Sequence, residues 1–201
     1  MHRAFASCCL VAALSCCSAA LTFAQSFNLD FGAQFGAPST SYGAAAGQPG
    51  FWNERTGFED ETATLVDIQG NKTALTIVPS LPFGQAGYDH PATTGDDQAL
   101  MDDYFDLHSV PATFEIRGLA VGTYAVYSYV WAPDEAAFQT SLGIQGRPPR
   151  LIGGVWPGEF REGITHSRDV VRVVAGTPLV ISVFGIPKGT FNGLQLVQLS
   201  R

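Results

Sequence analysis

Short runs in which apolar and polar side chains alternate, separated by glycine, proline and asparagine, dominate the sequence. That period of two predicts strands rather than helices. Phe27, Leu29 and Phe31 alternate with Asn28 and Asp30, so a first strand is predicted over Ser26–Phe31, with a polar face toward solvent. Ala63–Ile68 and Thr73–Val78 flank Gln69-Gly70-Asn71-Lys72, which reads as a hairpin. Ala112 to Trp131 is the richest stretch. Phe114 and Ile116 alternate with Thr113, Glu115 and Arg117, then Gly118 and Gly122 bound a turn. The strand that follows is apolar on both faces: Tyr124, Val126 and Val130 on one, Ala125, Tyr127, Tyr129 and Trp131 on the other. A strand of that kind belongs at the centre of a sheet. The pair therefore reads as a central hairpin.

Further strands are predicted over Phe138–Ile144, Ser167–Val174, Leu179–Phe184 and Gly193–Leu199. Gly32 to Gly50 and Pro79 to Gly95 read as irregular loops. Asp96 to Asp106 is the one predicted helix, capped by Asp96, with Leu100, Tyr104 and Phe105 facing inward. About nine or ten strands with one short helix predict an all-β, antiparallel jelly-roll β-sandwich. One domain, residues 25–201, is expected, with its first and last strands paired.

Composition changes the picture at the N-terminus. Residues 1–24 carry one arginine, then a small and apolar run ending in Thr22-Phe23-Ala24, the pattern of a secretory signal peptide. All four cysteines (Cys8, Cys9, Cys16, Cys17) lie in that run, so the remaining chain has no disulfide, thiol nucleophile or thiolate metal site. The remainder holds all 18 Asp and Glu but only ten of the 11 Lys and Arg. An acidic, lysine-poor surface argues against nucleic acid and anionic membranes. A secreted monomer, extracellular or periplasmic and not inserted in a membrane after cleavage of the leader, is expected.

Several of these segments together resemble a known group. They are Asn28-Leu29-Asp30-Phe31-Gly32, Tyr42-Gly43-Ala44-Ala45, Gly50-Phe51-Trp52-Asn53, Leu100-Met101-Asp102-Asp103-Tyr104, Ile116-Arg117-Gly118-Leu119, Gly122-Thr123-Tyr124-Ala125-Val126-Tyr127 and Asn192-Gly193-Leu194-Gln195-Leu196. The sequence resembles secreted planctomycete and verrucomicrobial proteins associated with PEP-CTERM sorting tails. Those in turn are similar to the galactose-binding-like and malectin-like β-sandwiches of carbohydrate-binding modules. The resemblance implies a sandwich and, by analogy, a glycan partner.

Sugar rings stack their C–H faces on flat aromatic side chains. Tyr88, Trp131, Trp156 and Phe160 lie in or beside Gly/Pro-rich loops and are the candidate ligand residues. The cluster Asp96, Asp97, Asp102, Asp103 and Asp106 reads first as a solvated helix face. Asp102 and Asp103, with Asp30, are also candidate oxygen ligands for a structural calcium, the one cofactor considered. Catalysis finds no motif. His90, His108 and His166 are scattered without zinc spacing, no G-x-S-x-G elbow occurs, and Glu159 and Glu162 read as solvated loop charges. The function expected is non-catalytic carbohydrate binding. A structural or interaction domain of the envelope or matrix is the alternative, and a polysaccharide hydrolase or lyase a more distant one.

Overall fold

The computed structural model describes residues 25–32, 34–57 and 63–201; the predicted leader lies outside the described residues. The elements in order are β1 (Phe27–Phe31), a 3-10 turn (Ala44–Ala46), β2 (Trp52–Arg55), β3 (Ala63–Val66), β4 (Lys72–Pro79), β5 (Gln85–Gly87), α1 (Asp96–Met101), β6 (Asp103–Leu107), β7 (Ala112–Arg117), β8 (Gly122–Tyr129), β9 (Gln139–Ile144), β10 (Arg150–Gly153), β11 (His166–Val173), β12 (Leu179–Ile186), β13 (Gly189–Phe191) and β14 (Gly193–Ser200). No helix among the described residues is long and apolar enough to cross a membrane.

The chain is a β-sandwich. One sheet has the order β11-β8-β14-β1-β2, the other β10-β9-β12-β7-β4-β3, and a small third sheet is β13-β6-β5. First and last strands pair antiparallel, Leu29 opposite Leu194. One pair departs from the antiparallel expectation: β1 and β2 run parallel. The fourteen strands among the described residues exceed the expected number because β2, β5, β6, β10 and β13 are three to five residues long, too short to show a period.

The predicted central hairpin is not one. Strand β7 pairs with β12 and β4 in the six-stranded sheet, and β8 pairs with β11 and β14 in the five-stranded sheet. The turn at Gly118, with φ +86°, carries the chain from one layer to the other. A tight loop between two runs is compatible with either route, and pairing partners are settled only by the rest of the sheet. The reading of β8 as a central strand is correct.

Between the sheets, Phe27, Leu29, Phe31, Tyr124, Val126, Leu194 and Leu196 of the five-stranded sheet pack with Phe114, Ile116, Leu142, Ile144, Ile181 and Val183 of the other. The third sheet adds Phe105 and Phe191. Phe31 lies 4.9 Å from Phe105 and 4.7 Å from Phe191 between ring centroids, and Phe114 lies 4.9 Å from Phe191. Such pairs add about 0.5–1.5 kcal/mol each to the burial of the rings.

The outer face of the five-stranded sheet is covered as well. Asn28, expected in solvent, is fully buried and bonds the carbonyl of Gln48, while Gln48 Nε2 and Gln195 Nε2 both donate to Asn28 Oδ1 (2.8 and 2.9 Å). The Tyr129 hydroxyl donates to Gln195 Oε1 and receives the Ala45 amide at 2.9 Å. This network seats the 38–50 segment on the sheet. Above it Trp52, Leu100, Met101, Tyr129 and Trp131 form a second apolar cluster.

Candidate ligand-binding site

Trp131 lies two residues beyond the end of β8. Its backbone N–H donates to Asn192 Oδ1 (2.8 Å) and its indole Nε1–H to the Gly154 carbonyl (2.9 Å). Both bonds and near-complete burial fix it as a floor rather than an exposed platform. The 153–160 loop then lays Trp156 over it, with ring centres 4.8 Å apart and planes at 53°. Gly153 and Gly154, at φ +143° and +132°, let the chain leave β10 in a conformation that other residues rarely adopt. From the other side His90 meets Trp131 edge-on at 5.0 Å.

The wall carrying His90 is held by a buried carboxylate. The Tyr88 amide donates to the Asp102 carbonyl (2.7 Å), the His90 amide to Asp102 Oδ2 (2.8 Å) and the Thr93 hydroxyl to Asp102 Oδ1 (2.7 Å). These elements enclose an open cavity of about 260 Å³, near the small end of ligand pockets, roughly 300–1,000 Å³. Tyr88, His90 and Pro91 form one side, Trp156 and Val155 another, buried Pro133 lies beneath, and the exposed Asp134 and Glu135 form the rim. Tyr88 is 48% exposed and Val155 74%. The aromatic rings of exposed Tyr88 and half-buried Trp156, with hydroxyl, imidazole and carboxylate groups around them, can stack a sugar ring and hydrogen-bond its hydroxyls.

Three of the four ligand residues expected from sequence, Tyr88, Trp131 and Trp156, thus line one cavity. Phe160 does not. It packs behind Trp156 at 5.9 Å and against Tyr129 at 5.5 Å, as part of the second apolar cluster. His90, Asp134 and Glu135 were missed. The signal available for them was proximity to Pro91 and Pro133 beside singled-out aromatics. A larger cavity of about 520 Å³ lies along β2, but Phe51 is the one aromatic ring it exposes among the described residues, since Trp52 is buried. The Tyr88–Trp156 cavity is the better candidate because aromatic faces and polar groups converge there.

The acidic residues need correction. The helix ends at Met101, and Asp103 opens β6, so Asp102 and Asp103 are buried rather than solvated. Gly95, not Asp96, is the N-cap, and Asp96 instead accepts the Ser39 amide and hydroxyl. Asp102 has a donor on each oxygen, His90 N–H on Oδ2 and the Thr93 hydroxyl on Oδ1, and serves the 88–93 segment. Burial raises its carboxyl above the usual range.

Asp30 and Asp103 are different. Asp30 is fully buried; the Phe31 amide approaches its carboxylate, but neither oxygen accepts a well-formed hydrogen bond among the described residues. Asp103 accepts the Phe35 amide on Oδ2 (3.1 Å), but its Oδ1 is buried without such a partner. Burial, then the charges of Asp103 and Glu54, holds the Asp30 carboxyl well above its ordinary range. Asp103 is pushed up to about 6, chiefly by burial. Gly32 makes room for this pair: a Cβ there would lie 2.4 Å from the Asp103 carboxyl carbon.

Glu162 accepts from Arg150 (3.2 Å), and Glu159 lies 3.9 Å from Arg161; both are exposed. Among the described residues no three His, Cys, Asp or Glu converge as a metal cluster.

No family model and no curated protein matches the chain. Its likenesses are structural and distant. A family 115 4-O-methyl-α-glucuronidase with specificity for decorated arabinogalactans is similar at 11% identity and TM-score 0.35, over 57% of this chain and 16% of that one. A family 61 carbohydrate-binding module in complex with β-1,4-galactotriose is similar at 13% identity and TM-score 0.31, over 63% and 89%. A family 31 α-xylosidase from Xanthomonas citri is similar at 13% identity and TM-score 0.26, over 70% and 18%. At this distance the likeness carries no argument about ligand or activity.

Proposed function

We propose that the chain is a secreted, non-catalytic binding module for extracellular or cell-envelope carbohydrate. The observation that supports it is the convergence of Tyr88, His90 and Trp156 over a fixed Trp131 floor, with two carboxylates at the rim. Stacking supplies affinity, and the polar groups orient the sugar. Titration of residues 25–201 with a panel of polysaccharides, followed by tryptophan fluorescence, tests the reading. A saturable change with at least one polymer supports it; no change across a broad panel overturns it. Incubation with the same polymers should release no reducing ends.

The alternative, a structural or interaction domain, draws on the ring contacts that tie Trp156 and Phe160 into the second apolar cluster. Under that reading Trp156→Ala lowers stability and alters no binding.

A structural calcium belongs to the proposal, with Asp30 and Asp103 as its carboxylate ligands. Buried carboxylate oxygens left without a well-formed hydrogen bond among the described residues, both of Asp30 and Oδ1 of Asp103, match an ion that takes oxygen ligands and tolerates main-chain carbonyls and water among them. Its contribution would be to neutralise the pair and hold β1 to β6.

A further inference from the structure

We infer that the pocket selects neutral glycan chains over anionic ones, an inference that rests on the pocket being the glycan site. Its rim carries Asp134 and Glu135, and no lysine or arginine among the described residues lines it. Both carboxylates are exposed at the cavity; Glu135 Oε1 accepts the Ala137 amide (3.1 Å), and Asp134 lies near the Tyr104 hydroxyl. Neither is neutralised by an ion pair among the described residues.

The other polar groups of the lining are uncharged or single donors: the Tyr88 hydroxyl, the Trp156 indole N–H and the His90 ring. His90 Nδ1 accepts the Ala92 amide (3.2 Å), which leaves the ring proton on Nε2 as a single donor. The cations of the neighbouring loop are engaged elsewhere, Arg161 near Glu159 (3.9 Å) and Arg150 with Glu162 (3.2 Å) and Asp169 (2.5 Å).

A sugar hydroxyl donates to a carboxylate, so each rim acid can bind a neutral ring. A uronate or sulfate group donates nothing and needs a cation or aligned N–H groups opposite it. Here it would face two negative charges within a chain of acidic excess.

The test measures binding of residues 25–201 to a neutral galactan and a neutral glucan, and to polygalacturonate and a sulfated galactan of matched length, in buffer without added divalent cations. Neutral polymers should bind about tenfold more tightly or better at low salt. Raising salt from about 20 to about 500 mM should narrow the gap, because screening removes repulsion at the rim. The double variant Asp134→Asn, Glu135→Gln should shrink the gap at low salt, and the salt series on the unaltered chain does not depend on the variant's folding. An anionic polymer that binds the unaltered chain as tightly as the neutral ones do, and fails to bind Trp156→Ala, overturns the selectivity and leaves the glycan site standing. No binding by any polymer removes the site and the selectivity together.

Discussion

Asp102 Oδ2 accepts the backbone N–H of His90 at 2.8 Å, so a buried carboxylate at the end of α1 sets the position of one wall of the pocket. With the Thr93 hydroxyl on its other oxygen, this one side chain fixes two points of the 88–93 segment. Asp102→Ala should therefore cost about 1–3 kcal/mol, the penalty for stranding buried donors. It should also weaken glycan binding without touching the pocket. Thermal melts and fluorescence titrations of the same sample check both.

Trp156 is half-buried on Trp131 and faces the cavity. Trp156→Ala should reduce glycan affinity at least about tenfold, since an aromatic contact at a binding hot spot is worth about 2 kcal/mol or more. Tyr88→Ala, at an exposed position, should lose affinity with little change in stability. Parallel titrations and melts separate this pattern from a purely structural effect.

The Tyr129 hydroxyl joins the 38–50 segment to the sheet by two hydrogen bonds, to Gln195 Oε1 and from Ala45 N–H. Tyr129→Phe keeps the ring and removes both. A loss of about 1–3 kcal/mol is expected, together with faster proteolytic cleavage within 38–50 than elsewhere. Limited proteolysis with mass mapping reads this out.

The buried acids give a signed pH dependence. Asp103 is raised from 3.8 to about 6 and Asp30 and Asp102 are raised as well, so between these limits the folded chain holds more protons than the unfolded one. Their contribution is destabilising at neutral pH and fades as pH falls through 6. His166, lowered from 6.5 by burial, acts in the opposite sense. In chelator the melting temperature should rise from pH 7 to pH 5. Added calcium should raise it at pH 7 and less at pH 5, where protons compete for the same oxygens. Asp30→Asn should be stabilising in chelator and abolish the calcium response. A melt at pH 7 unchanged by chelator and by calcium would remove the ion from the proposal.

Much of the strand content was legible. The alternation in Phe27–Phe31, the turn at Gly70 and the runs that became β9, β11, β12 and β14 are local signals, and period and turn chemistry suffice for them. Alternation reports which positions differ, not whether the polar ones reach water. Asn28 and Asp30 lie on an outer face that the chain itself covers, and no local pattern announces that cover. The aromatics of the pocket could be named because they sit beside glycine and proline. Their grouping could not, since Tyr88, Trp131 and Trp156 come from three separate loops.

By itself the sequence determined an all-β chain, its strand periods, its acidic balance and the absence of cysteine from residues 25–201. Tertiary structure decided the rest. It sent Ala112–Trp131 into two sheets instead of one, because pairing depends on partners distant in sequence. It buried Asp30, Asp102 and Asp103, and it gave them different surroundings: two donors for Asp102, oxygens without a well-formed hydrogen bond for the other two. Desolvation and hydrogen bonding act through space, so the same residue type becomes a loop clamp in one place and a candidate ion ligand in another.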